Sequence, residues 1–170
     1  VLEITETRMG FKPTDHTPVA IMDGRQYVKR STTKWDWIIL DAFRGGYVPP
    51  HLKTQEFYRE CADRLADNGV FITNLHSTTE LYYADLKTIK SVFPQVILLN
   101  SANRGNVIAF GLKYRTPAMT DRFKWPDPVS LNPPLQDRVD LRVIRSEWIP
   151  WPTQEVDRAQ LLTDDFAPVE

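Results

Sequence analysis

Two kinds of apolar pattern alternate along the chain. Residues 35–40, Trp-Asp-Trp-Ile-Ile-Leu, are nearly continuously apolar and run into Asp41. A run of that length predicts a strand buried on both faces, as in a parallel sheet covered by helices. Further runs at 1–5, 19–22, 70–74, 96–99 and 106–112 predict more strands. Helical spacing lies between them. Thr54 is placed to cap a helix carrying Phe57, Cys61 and Leu65, with Asn68-Gly69 as its stop. Thr78 or Thr79 can cap a second helix carrying Tyr82, Leu86, Ile89 and Phe93, ended by Pro94. Residues 25–31 allow a short helix. Asn103-Arg104-Gly105 is a connection short enough to predict an antiparallel hairpin between the last two strands.

Strands alternating with helices predict an α/β layered domain, mostly parallel, with a closing antiparallel hairpin. The composition shifts after residue 115. Pro117, Pro126, Pro128, Pro133 and Pro134 crowd one stretch, and Pro150 and Pro152 follow. The chain therefore divides into a domain at 1–115 and a Pro-rich extension at 116–170 packed on the same domain. Within the extension, Leu135, Val139, Val143 and Ile144 predict a helix, and Trp148 and Trp151 are expected to fix the tail to the body.

Charge narrows the partners. Of 170 residues, 21 are Lys or Arg and 22 are Asp or Glu, a formal net charge of -1. That balance provides no basic footprint for nucleic acid or an anionic membrane. The apolar runs are too short to span a bilayer. The single cysteine, Cys61, rules out an internal disulfide and fits a reducing compartment, so a cytoplasmic location is expected. His16, His51 and His76 have no ligand spacing, and no metal is expected.

The candidate chemistry lies at strand ends. In open α/β sheets, ligands bind beyond the carboxyl ends of the strands. Glu3, Asp23 and Asp41 occupy such positions in the predicted order. One such acid can accept both ribose hydroxyls, a second an adenine amino group, and a third the proton of a nucleophile above the nucleotide. Alternatively, strand-end acids only cap helices and turns. Asp41 is the sharpest case, because the apolar run before it fixes its backbone; partial burial there would suit a general base acting on an ammonium. Thr163-Asp164-Asp165 is an acid pair better suited to docking the tail than to holding a metal.

Asp23-Gly24-Arg25, the run 35–41, and Leu52, Thr54, Glu56, Phe57 and Tyr58 together resemble the spermidine synthase family. The closing residues 162–170 resemble the end of a bacterial branch of that family. The resemblance implies a Rossmann-like class I methyltransferase sheet. It also implies aminopropyl transfer from decarboxylated S-adenosylmethionine, or use of S-adenosylmethionine, as a cosubstrate that is not tightly bound. By resemblance Glu3 holds the ribose, Asp23 and Gly24 the adenine, and Asp41 the attacking amine. Arg44 and Tyr47, close after Asp41 in the chain, are the candidates to face the acceptor, although aromatic residues there can equally be core.

Two departures accompany the resemblance. The family has a second acid three residues after the position of Asp41, where this chain has Arg44. Like charges about 4 Å apart at an effective dielectric near 20 repel by roughly 4 kcal/mol, which disfavours a diamine acceptor. The family's first strand and Gly-rich loop have no counterpart ahead of the strand expected at 1–5. The match is therefore to the later part of the domain only. The lost strand could come from a second polypeptide, the two halves could close directly, or the chain could be a fragment that associates; a homo-oligomer is a further possible partner state. A different alignment takes 1–4 as the first strand and 5–10 as a degenerate nucleotide loop. An alternative function is a catalytically silent interaction module, or a methyltransferase with another acceptor.

Overall fold

The computed structural model describes residues 2–43, 47–101, 105–114 and 147–166. Five strands form one open sheet in the order β1-β2-β4-β3-β5. They are β1 (Trp35–Leu40), β2 (Leu65–His76), β3 (Gln95–Asn100), β4 (Asn106–Leu112) and β5 (Trp148–Ile149). β1 pairs with β2 in parallel; β4 runs antiparallel to both β2 and β3, and β5 antiparallel to β3. β1, β2 and β3 thus share one direction. The expected hairpin is β3 with β4, and Gly105 at φ 89° makes the left-handed turn before β4 that an L side chain would resist.

Helices cover one sheet face. α3 (Gln55–Arg64) and α4 (Tyr82–Val92) pack against each other and against β2. Thr54 caps α3 as expected, its Oγ1 accepting from Phe57 N at 3.2 Å. Phe57, Tyr58 and Cys61 turn inward, as do Tyr82, Leu86 and Ile89 of α4. They meet Phe71 and Leu75 of β2; the Phe71 and Phe93 rings stack at 5.4 Å. Gly111 of β4 lies under Phe93, where an added Cβ would stand 2.6 Å from the ring. α2 (Gly24–Arg30) packs on α3, and α5 (Thr153–Arg158) packs on α4.

Several expectations are corrected. The strand expected at 1–5 is replaced, from Leu2 on, by a helix: Leu2–Arg8 is α1, with no buried residue. A strand needs a neighbour for its N–H and C=O groups, whereas a helix pairs them within itself. No described strand lies beside this segment, Glu3 favours the helix start and Arg8 its end, and Thr5 and Thr7 hydrogen-bond back to the turn. The same lack of a neighbour leaves 19–22 outside any strand, with Val19, Ile21 and Met22 exposed. β1 is not buried on both faces. Ile38 and Leu40 pack toward the helices, but Trp37 and Ile39 are 68% and 64% exposed, because they alternate to the opposite face, which no described element covers.

α3 ends at Arg64, earlier than Asn68-Gly69 suggested. Leu65 is fully buried and already paired to Trp35, and residues 66–69 form an irregularity before Val70 pairs with Trp37. Gly69 folds back so tightly that a Cβ would meet that of Leu65 at 2.9 Å. Neither Thr78 nor Thr79 caps α4; its N-cap is Leu81, and Thr79 Oγ1 donates to His76 O in the preceding turn. Trp148 does more than pack, since with Ile149 it adds a strand to the sheet. The expected helix at 135–146 and the prolines at 117–134 lie outside the described residues. So do Arg44, Gly45 and Gly46. Among the described residues no helix is long and apolar enough to cross a membrane, and no cluster of metal-ligating side chains occurs.

Candidate functional site

β1 carries Asp41 to the edge of the sheet. The ladder beside it runs Ile39 to Ile72 and Leu40 to Thr73, so the backbone before the carboxylate is held by β2. The next β2 residue, Asn74, donates from Nδ2 to Asp41 Oδ1 at 3.3 Å. Asn74 Oδ1 is buried without a hydrogen-bond partner. Flipping the amide would set two oxygens against each other, so the observed orientation is the one that fits. Asp41 itself is exposed, contrary to the partial burial expected of it, because the chain leaves the sheet edge there.

Asp23 is the N-cap of α2. Its Oδ1 accepts from Gln26 N at 3.0 Å, and its Oδ2 lies 2.7 Å from His51 Nε2. The backbone bond from Gln26, then the bond with His51, holds the carboxyl below the ordinary aspartate range. A carboxylate has about four acceptor sites, so these two bonds leave capacity for a ligand. The next residue, Gly24, has nothing within 4 Å of where a Cβ would stand, which leaves the backbone open to close approach.

Gly24 and Asp41 line one cleft of about 430 Å³ between α2 and β1. Tyr27, Trp35, Trp37, Leu40, Leu52 and Phe57 supply apolar walls, and Tyr27 stacks on Trp35 with ring centroids 6.0 Å apart. An apolar slot with a few polar groups at its rim is the usual form of a small-molecule site. Glu3 is not brought there. It is exposed on α1 and is not among the cleft's lining residues. Tyr47 is half-buried in the loop after β1, and Phe43 meets the His76 ring edge-on at 5.7 Å.

Sequence reasoning missed Asn74 and His51. Neither has a spacing that marks it: His51 is 28 residues from Asp23 and Asn74 is 33 from Asp41. It also missed Arg25 as an organiser. Arg25 is 8% exposed and donates to Glu60 Oε1 and Oε2 at 2.8 Å, to Asp164 Oδ1 and Oδ2 at 2.7 Å, and to His51 O at 3.2 Å. These bonds, those to Glu60 first, push the guanidinium further toward its charged form. Cys61 is fully buried, and burial pushes its thiol well up, which fits a packed rather than a reactive cysteine.

A family model described as the spermine/spermidine synthase domain matches residues 4–102. The chain belongs to the spermine/spermidine synthase family. It is 30% identical over 177 residues to a polyamine aminopropyltransferase of Vibrio vulnificus, covering 99% of this chain and 57% of the relative. It is also 35% identical over 162 residues to an N-terminal histidine N-methyltransferase of Emericella nidulans, covering 87% of this chain but 27% of that protein. Among solved structures, a spermidine synthase in complex with the transition-state analogue AdoDATO superposes with a TM-score of 0.63 at 20% identity, over 91% of this chain and 55% of that one. Human methyltransferase-like protein 13 in complex with SAH gives 0.62 at 22% identity, over 96% and 69%. These likenesses fix the fold as Rossmann-like. The chain spans little more than half the length of the Vibrio relative and less of the fungal one.

Proposed function

We propose that this family member is the later part of an aminopropyltransferase of the spermidine synthase type, and that its cleft is completed by a further strand against β1. The strand comes from a preceding segment or a second polypeptide. The cosubstrate is decarboxylated S-adenosylmethionine or S-adenosylmethionine. Its adenine lies near Asp23 and Gly24, and Asp41 faces the attacking amine. Arg44 and Tyr47 border the acceptor. The amine nitrogen attacks the methylene beside the sulfonium, the carbon–sulfur bond breaks, and sulfur leaves as a neutral thioether. The proton lost by the new ammonium passes to Asp41. With a good leaving group in place, the protein's task is to align the reactants and exclude water.

The observation that carries this reading is that Gly24 and Asp41 open into one apolar cleft beside the outer edge of β1, which pairs with no strand among the described residues. Long, apolar edge strands are normally covered or blunted by charge. Side chains of a strand paired to β1 would also shield part of Trp37 and Ile39, where full burial of an apolar side chain stabilises by about 1.5–3 kcal/mol. A strand there would also give residues 1–5 and 19–22 a neighbour, allowing Glu3 to reach a strand end and the ribose. Residues 116–170 act as an extension of the same domain, and the assembly works in the cytoplasm.

Arg44, at the family's second acidic position, supports a neutral or anionic acceptor over a diamine. A second reading is a catalytically silent interaction module, which the helical placement of Glu3 favours. Calorimetric titration with decarboxylated S-adenosylmethionine, S-adenosylmethionine and methylthioadenosine separates the two. Saturable heat with the decarboxylated donor supports the transferase. A folded chain that takes up none of the three, alone or with the strand-bearing segment added, sinks it.

A further inference from the structure

The Arg25–Asp164 contact joins residues 139 apart in sequence, and its surroundings connect the C-terminal tail to the cleft. Thr163 and Phe166 close a tight turn by mutual backbone hydrogen bonds of 2.9 and 3.0 Å. The turn is anchored on both sides. Leu162 N donates to Thr88 Oγ1 at 3.0 Å, and Leu162 O accepts from Gln55 N at 2.9 Å. Asp164 N donates to Glu56 Oε2 at 3.0 Å, and Thr54 Oγ1 donates to Asp164 Oδ1 at 2.7 Å. Both Asp164 oxygens then meet Arg25, whose remaining bonds go to Glu60 and to His51 O. His51 in turn meets Asp23, and Gly24 and Leu52 beside them line the cleft.

We infer that the Thr163–Phe166 turn is a positioning clamp, in which Asp164, acting through Arg25, fixes where the Asp23-Gly24 corner meets His51. The guanidinium is a planar fork whose donors are all used, two toward one carboxylate, two toward the other and one toward a carbonyl. Rotating it to recover a lost partner would break the bond to His51 O or the pair with Glu60. The tail therefore sets the geometry of the corner as well as adding stability. Asp164 and Arg25 are positioning residues. The effect on ligand binding rests on the nucleotide reading above; the effect on the corner does not.

The test uses the full chain and the variant Asp164→Asn, which retains shape but presents an NH₂ to a guanidinium donor. Lys87→Met serves as a control. Lys87 Nζ holds the same tail through Asp157 O and Ala159 O without touching Arg25. Two readouts are compared: amide exchange at Gln26, whose N–H is held by Asp23, and affinity for methylthioadenosine. Losing a charge-assisted pair of bonds predicts roughly tenfold faster exchange and roughly tenfold weaker binding in Asp164→Asn. Lys87→Met is expected to lower the melting temperature with little change in either. Asp164→Glu is expected to restore part of the exchange protection. If wild type binds no methylthioadenosine, alone or with the strand-bearing segment added, but Gln26 still responds to Asp164→Asn alone, the clamp stands and the nucleotide reading falls. Unchanged Gln26 exchange in Asp164→Asn, or equal acceleration in both variants, overturns the clamp.

Discussion

Asn74 Nδ2 donates to Asp41 Oδ1 at 3.3 Å, linking the exposed carboxylate at the end of β1 to the adjacent strand. Among the described residues it is the one side-chain hydrogen bond of Asp41, so the carboxylate is oriented without being buried. Asp41→Asn is expected to change unfolding free energy by no more than about 0.5 kcal/mol, as for most surface substitutions. In the completed assembly it should lower aminopropyl transfer by about 10²–10⁴-fold, the usual contribution of a general base. Denaturant unfolding and a transfer assay on the same preparation check both halves.

The edge face of β1 makes a separate prediction. Trp37 and Ile39 are more than half exposed, so Ile39→Lys should leave the isolated chain about as stable as wild type. It should abolish association with a strand-bearing segment, or with a second copy, by placing a charge on the face to be covered. Sedimentation, together with a blue shift of tryptophan emission on mixing, reads the outcome. Association that survives Ile39→Lys would place the contact elsewhere.

Acid dependence follows from Asp164. Arg25, helped by Thr54, holds its carboxyl down to about 2 against desolvation that acts the other way. An unfolded aspartate titrates near about 3.9. Between those values the unfolded chain binds more protons, so stability rises with pH there, is fully present above about pH 4, and is lost as pH falls through about 2. Asp23 acts in the same direction. Urea midpoints measured from pH 2 to 6 should slope upward in wild type and more gently in Asp164→Asn.

Two buried positions give simpler outcomes. Gly111→Ala places a Cβ 2.6 Å from the Phe93 ring, which is itself stacked on Phe71. The expected loss is about 1–3 kcal/mol, from overpacking, measured as a lower denaturation midpoint.

Cys61 is fully buried, with its thiol pushed upward mainly by burial. Iodoacetamide at mildly alkaline pH should therefore label it only after unfolding. Rapid labelling of the native chain, seen by mass spectrometry, would contradict the packed position.

The elements that were legible in the amino-acid pattern are those whose neighbours lie within the described chain. Thr54 capping α3, the apolar face of α4, and the β3–β4 hairpin follow from local chemistry and short connections, and all are present. Asp41 at the end of β1 was legible for the same reason. Glu3 was not. Residues 1–5 have strand-forming side chains, but a strand exists only where another edge accepts its hydrogen bonds, and no edge among the described residues does so for the helical Leu2–Arg8. Likewise the Trp35–Leu40 run determined that β1 would form, while the absence of any described element on one face of the sheet decided that Trp37 and Ile39, which alternate with the packed Ile38 and Leu40, stay exposed. The bonds of His51 to Asp23, Asn74 to Asp41 and Asp164 to Arg25 span 28 to 139 residues. No local periodicity encodes such pairs. They arise only when packing brings distant segments within hydrogen-bond reach and shields them from water.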